Sequence, residues 1–134
     1  MGCLGTPRVI VGGGPTGVEL SGAIPIIARR ALGPEFRKIN TEATRVILLE
    51  GGPRVLPAFS ERISESARRD LTKLGVEVRT GSIVTAVDEN GVTVGGERID
   101  AKTIFWAAGN LPSPLGKTLG TTLDRSGRVV VEPD

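Results

Sequence analysis

The chain has no histidine and no tyrosine, and only one cysteine, one tryptophan and three phenylalanines in 134 residues. Without histidine there is no imidazole to act as acid, base or metal ligand near neutral pH, and without tyrosine the Tyr/Lys chemistry of short-chain reductases is excluded. The single Cys3 excludes an internal disulfide and a cysteine-held metal cluster, so no metal site is expected. No apolar stretch reaches 18 residues and no signal peptide is present, so the chain is expected to be soluble and cytoplasmic, with no membrane contact of its own. An excess of one charge is also missing. The 17 basic residues are interspersed with 15 acidic ones, a net charge of +2, and no surface for nucleic acid is expected.

What the chain does have is glycine, and three glycines fall at an informative spacing. Val9, Ile10 and Val11 form a short β-branched run after Arg8, which predicts a buried strand of a parallel sheet. Gly12, Gly14 and Gly17 follow at G-x-G-x-x-G spacing, and Pro15 stands where a helix begins, its fixed φ suited to a first helical position. Strand, tight turn and helix in that order are the context a dinucleotide fingerprint requires. Gly12 permits the turn, Gly14 lets a diphosphate approach the backbone, and Gly17 lets the helix pack closely on the strand. The N–H groups at the helix start and the positive end of its dipole favour a phosphate there. The candidate binding residues of this stretch are Gly12, Gly13, Gly14, Pro15, Thr16 and Gly17.

Leu20, Ala23, Ile24, Ile27, Ala28 and Ala31 predict one apolar stripe of a helix from about Pro15 to Arg30. Pro25 should kink it, because proline lacks a donor and crowds the carbonyl of Ser21. Gly33 and Pro34 end the helix, residues 35–39 could add one more turn, and residues 40–44 read as a polar loop. R-V-I-L-L-E (Arg45 to Glu50) predicts a second buried strand that ends in a carboxylate. An acid at that place can accept hydrogen bonds from both hydroxyls of an adenine ribose. Glu50 lies 33 residues beyond Gly17 instead of about 20. An insertion over roughly Ala31 to Thr44 accounts for the excess and leaves both ends of the unit in place. The carboxylate repels a 2′-phosphate and so favours NAD(H) over NADP(H), with Arg54 the one neighbouring feature that points the other way.

Ser60 reads as an N-cap, and Ile63, Ala67, Leu71 and Leu74 mark one face of a helix that Gly75 ends. Val76 to Thr80 predicts a third strand, parallel to the first two. Ser82 to Asp88, an Asn90-Gly91 turn, Val92 to Val94 and Glu97 to Asp100 predict a small antiparallel meander. Thr103 to Gly109, T-I-F-W-A-A-G, predicts another buried strand, with Trp106 in the core and Ala108 and Gly109 at the carboxyl edge, where ligands of open α/β sheets bind. Residues 111–123 read as loop and residues 127–132 as a last short strand. The fold class is therefore α/β: a Rossmann-like three-layer domain with a central parallel sheet, flanking helices and a small antiparallel β-meander. Residues 1–7 are expected to be a leader or tail, and residues 8–134 to form one domain.

With the glycine loop, Glu50, the meander and the W-A-A-G strand end together, residues 8–134 resemble the NAD(H)-binding domain of the pyridine nucleotide-disulfide oxidoreductase superfamily. V-G-G-G-P-T-G-V-E-L-S-G (Val11 to Gly22), the extension after the first helix, P-R-V-L-P (Pro53 to Pro57) and W-A-A-G (Trp106 to Gly109) look most like type II NADH dehydrogenase. The resemblance implies an excised domain of a larger flavoprotein, in which hydride passes from NADH to FAD and then to a quinone or other acceptor. It implies NAD(H) bound by this domain, FAD bound by a flavin domain lying outside this chain, and a parent peripheral to the cytoplasmic membrane face. The isolated domain is expected to bind nucleotide without turning over. By the same resemblance Glu19 matches a catalytic acid close to the nicotinamide and flavin, and Ala108 and Gly109 match the strand end beside the nicotinamide. A carboxylate in the first turn of a helix is also what the helix dipole alone favours. Three other readings fit less well. A non-catalytic NAD(H)-sensing domain lacks the meander, a flavin-binding Rossmann domain fits the W-A-A-G end poorly, and a methyltransferase-like domain needs a different glycine pattern.

Overall fold

The computed structural model describes residues 6–32 and 44–133, with the backbone alone for residues 31 and 32. Cys3 and the expected turn at residues 35–39 lie outside the described residues. Four strands form a parallel sheet in the order β3-β2-β1-β7: β1 (Arg8–Val11), β2 (Val46–Leu49), β3 (Val76–Arg79) and β7 (Thr103–Trp106). Helix α1 (Pro15–Ile26) follows β1, and helix α2 (Glu61–Lys73) carries the chain from β2 to β3. The meander β4 (Val84–Asp88), β5 (Gly91–Val94) and β6 (Glu97–Asp100) separates β3 from β7.

The central strands explain why the sheet is parallel and covered. Val9, Ile10, Leu48 and Leu49 have no exposed surface, which matches runs that are apolar without alternation. One face packs Ile10, Val46, Leu48 and Val76 against Leu71 of α2 and Val18 and Ile24 of α1. The other packs Val9, Val11, Ile47 and Leu49 against Val92, Ile99 and Ala101 in and beside the meander. The result is three layers: helices, sheet, meander. Each fully buried Val, Leu or Ile among them stabilises the fold by roughly 1.5–3 kcal/mol.

Several elements differ from expectation. The helix that begins at Pro15 is regular only to Ile26 and continues as a π-helical segment, Ile27–Leu32. Buried Pro25 supplies no N–H to the Ser21 carbonyl, which weakens the regular ladder just before the π-helical segment begins. The buried side of α1 is Gly17, Ser21 and Pro25, continued by Ala28, whereas Ile27 is 52% exposed. Small residues face the sheet because the helix packs close to it. In α2 the buried residues are Ser64 and Leu71, and Ile63 is 47% exposed.

The meander's first strand starts later than expected, at Val84, and has a bulge between Val84 and Ala86. Its turn comprises Glu89 and Asn90, with Gly91 already paired to Asp88. Residues 111–123 contain a 3-10 helix, Pro114–Leu119. Residues 127–132 make no strand, only an isolated bridge between Leu123 and Val129. The strand β7 ends at Trp106 and is not buried: it is an edge of the described sheet, paired to β1 alone.

Candidate functional site

Connections leave β1 toward β2 on one side, while β7 joins β1 on the other. The strand order therefore reverses at β1, and in open α/β sheets the crevice outside the carboxyl ends at such a point is where ligands bind. Gly12 starts the turn at φ +107°, where an L side chain is strained, and a Cβ there would lie 2.8–2.9 Å from the backbone of Ala107 and Ala108. Its N–H donates to the Leu49 carbonyl at 2.8 Å, and the Ala107 N–H donates to the Val11 carbonyl at 2.8 Å. These two bonds fasten the loop to β2 on one side and hold β7 on the other.

Gly17 is required by close packing, because a Cβ there would come within 1.8 Å of the Gly12 carbonyl oxygen. Gly14 is different. Its φ of −73° is open to any residue, and a Cβ would meet nothing within 4 Å. Helix α1 starts with Pro15 at its first position. The N–H groups of Thr16 and Gly17 belong to the first helical turn, where no carbonyl four residues back lies within the helix to accept them.

Glu50 is built into this loop. Its Oε2 accepts from the Gly13 N–H at 2.5 Å and its Oε1 from the Gly52 N–H at 2.6 Å. Gly13 is glycine for a reason the spacing does not show: a Cβ there would lie 2.8 Å from Glu50 Oε2 and 2.9 Å from Glu50 Cβ. Two amides occupy two of the roughly four acceptor positions of the carboxylate, so both oxygens keep lone pairs for a further donor.

The following loop is tied down as well. The Leu56 N–H donates to the Gly13 carbonyl at 2.7 Å, and Leu56 is the one non-glycine residue with positive φ (50°) among those described. Arg54 donates to the Pro57 carbonyl at 3.1 Å and to Ser64 Oγ at 3.3 Å. Those bonds commit it to the α2 side, where it lines a separate cavity of about 590 Å³ with Arg62 and Arg68.

Gly12, Glu50 and Ala108 line a single cavity of about 280 Å³, floored by Val11 and Leu49 and walled by Gly51, Ile83 and Trp106. Gly13 joins it through Glu50. Pro15 and Thr16 are exposed at the helix start, and Gly109 is exposed just past Ala108, at φ +71°. Glu19 is not brought in. It is exposed in the second turn of α1, and the first turn contains no acid, so it does not compensate the helix dipole from the first turn as expected. Trp106 is the residue that sequence reasoning misplaced, being 60% exposed in the cavity wall and not in the core. The signal was its place at the end of a strand whose outer neighbour the sequence does not reveal.

A family model, the pyridine nucleotide-disulphide oxidoreductases, matches residues 4–134, and the chain belongs to that family. It is 48% identical to the type II NADH:quinone oxidoreductase NdhA of Mycobacterium tuberculosis, over 94% of this chain and 29% of that protein. The type II NADH:quinone oxidoreductase Ndh of the same organism is 43% identical, over 93% of this chain and 29% of that protein. A dihydrolipoyl dehydrogenase of Pseudomonas aeruginosa is 34% identical, over 99% and 27%. Among solved structures, NDH2 from Plasmodium falciparum in complex with NADH superposes with a TM-score of 0.74, at 22% identity, over 92% of this chain and 26% of that one. That likeness establishes the Rossmann-like fold. The chain spans under a third of the length of these relatives.

Proposed function

We propose that this chain is the nicotinamide dinucleotide-binding domain of a FAD-dependent NADH dehydrogenase of the type II kind, with residues 8–134 forming the domain. The observation that carries this reading is Gly14. Its backbone conformation suits any residue and, its immediate chain neighbours aside, no atom lies within 4 Å of a Cβ placed there. The fold therefore gives no steric reason for glycine, whereas a diphosphate drawn against the backbone does.

The residues fit a dinucleotide from end to end. Gly12 shapes the turn, and the Thr16 and Gly17 N–H groups with the positive end of α1 meet the diphosphate. Gly13 and Gly52 hold the Glu50 carboxylate so that its remaining lone pairs accept from the adenine ribose hydroxyls. Ala108 lines the cavity of Glu50 between the two halves of the ligand, and Gly109, exposed just past it, brings backbone toward the nicotinamide end. NADH, when bound, supplies the hydride. No side chain of this chain accepts a hydride, so turnover needs the flavin domain of the parent, and a quinone or another acceptor takes the electrons onward. Glu19, exposed one turn along α1, is the acid that faces the nicotinamide and flavin in the whole protein. The parent works at the cytoplasmic membrane face, and among the described residues no helix is long and apolar enough to cross a membrane.

The test is a calorimetric titration of the purified chain with NADH, NADPH and FAD in parallel, together with Glu50→Gln. NADH is expected to bind at least about tenfold tighter than NADPH, or 1.4 kcal/mol, and Glu50→Gln to narrow that gap. Tightest binding of FAD would overturn the nicotinamide assignment, and NADPH binding as well as NADH would overturn the role of Glu50.

A further inference from the structure

We propose that Trp106 is a binding residue of the dinucleotide cleft, an aromatic wall against which the adenosine half of the ligand packs. The inference rests on the dinucleotide reading above and adds to it a residue that neither the glycine spacing nor the strand-end acid indicates.

The argument begins with register. Val11 pairs with Leu49 on one side and with Trp106 on the other. In a parallel sheet, paired residues project to the same face. Val11 and Leu49 belong to the core cluster on the meander face, and Ile104, two residues before Trp106, packs against that cluster. Trp106 thus stands level with Val11 and Leu49 on that face, but on the edge strand β7 and one inward-facing position past Ile104. There its indole stays 60% exposed while Val11 and Leu49 beside it are buried.

The cavity it walls supplies the second part. Trp106 shares this space with Glu50, and Ile83 stands in the wall as well, 65% exposed. A ribose held by Glu50 has its purine inside the same cavity, between apolar surfaces above a floor of Val11 and Leu49. Flat heteroaromatic rings stack on indole without needing directed hydrogen bonds. A large aromatic side chain left in water beside a carboxylate already held by two amides is an arrangement that a purine nucleoside completes.

The experiment uses the chain as it is. Trp106 is the only tryptophan and there is no tyrosine, so its emission reports on the cleft without interference. Titration with ADP-ribose, which lacks the nicotinamide and does not absorb the emission, is expected to change the intensity or position of the Trp106 fluorescence. Trp106→Ala is expected to weaken ADP-ribose and NADH at least fivefold by calorimetry, while Trp106→Phe stays within about threefold of the parent chain. Thermal melts of both variants establish that they are folded, and the Phe variant keeps the test decisive if the Ala variant is not. ADP-ribose bound with unchanged emission, and equally tight to both variants, would overturn the inference and leave the dinucleotide reading standing. A parent chain that binds neither ADP-ribose nor NADH would overturn both.

Discussion

The Glu50 carboxylate accepts the Gly13 N–H at 2.5 Å across 37 residues of chain. The acid at the end of β2 and the loop after β1 are therefore one structural unit before any ligand is considered. Its other oxygen holds Gly52, so Glu50→Ala leaves two partly buried N–H groups without acceptors. The expected cost is about 1–3 kcal/mol, with a smaller loss for Glu50→Gln, whose amide keeps one accepting oxygen. Thermal melts of the three proteins check the order. Gly13→Ala is expected to act through the same contact, displacing the carboxylate and weakening NADH although residue 13 is not one of the fingerprint glycines.

Gly14 and Gly17 separate binding from folding. Gly17→Ala drives a methyl into the Gly12 carbonyl and is expected to destabilise the domain by about 3 kcal/mol. Gly14→Ala meets nothing and is expected to melt within about 1 kcal/mol of the parent chain while losing most of its affinity for NADH. Chemical denaturation with a parallel NADH titration tests both, and a Gly14→Ala protein that binds NADH normally would remove the main support for the site.

Leu71 is the point where α2 enters the core, 4% exposed beside Ile10 and Leu48 and positioned about 3.7 Å from where a Gly22 Cβ would stand on α1. Leu71→Ala is expected to cost about 2–5 kcal/mol, read from urea unfolding. The exposed Ile63, for which the same helix periodicity suggested burial, is expected to tolerate alanine with little change.

The meander carries an acid-sensitive contact. The Arg98 guanidinium donates to both oxygens of Asp88 at 2.6 Å, the Asn90 N–H donates to one of them at 2.8 Å, and together these hold the Asp88 carboxyl down at about 2. A carboxyl depressed in the folded state contributes stability above its unfolded value of 3.8, and that contribution is lost as pH falls through the folded value. The melting temperature is therefore expected to drop between about pH 4 and 2. Asp88→Asn should make that drop shallower without removing it, because Arg68 lowers the Glu65 carboxyl, and the Arg128 and Ser126 N–H groups lower that of Asp124, in the same direction.

Much of this was legible in the chain itself. The β-branched run of β1, the glycine spacing, Pro15 at the first helical position and the carboxylate closing β2 are all set by residues close together in sequence, where backbone sterics and local capping decide the outcome. The parallel strands and the meander followed from the same signals. Burial was less legible, since periodicity marks an apolar stripe without saying what will cover it. In α1 the sheet approaches so closely that Gly17, Ser21 and Pro25 take the inner side, and Ile27 is left outside.

Local sequence thus determined the order of elements, the turn at Gly12 and the acid at position 50. Tertiary structure alone decided that Glu50 is held by Gly13, that Arg54 is committed to Ser64 and Pro57, and that Trp106 stands in the cleft wall. These relationships depend on which strands become neighbours and which strand becomes an edge, and such long-range contacts are fixed by packing over the whole domain, not by the residues adjacent in the chain.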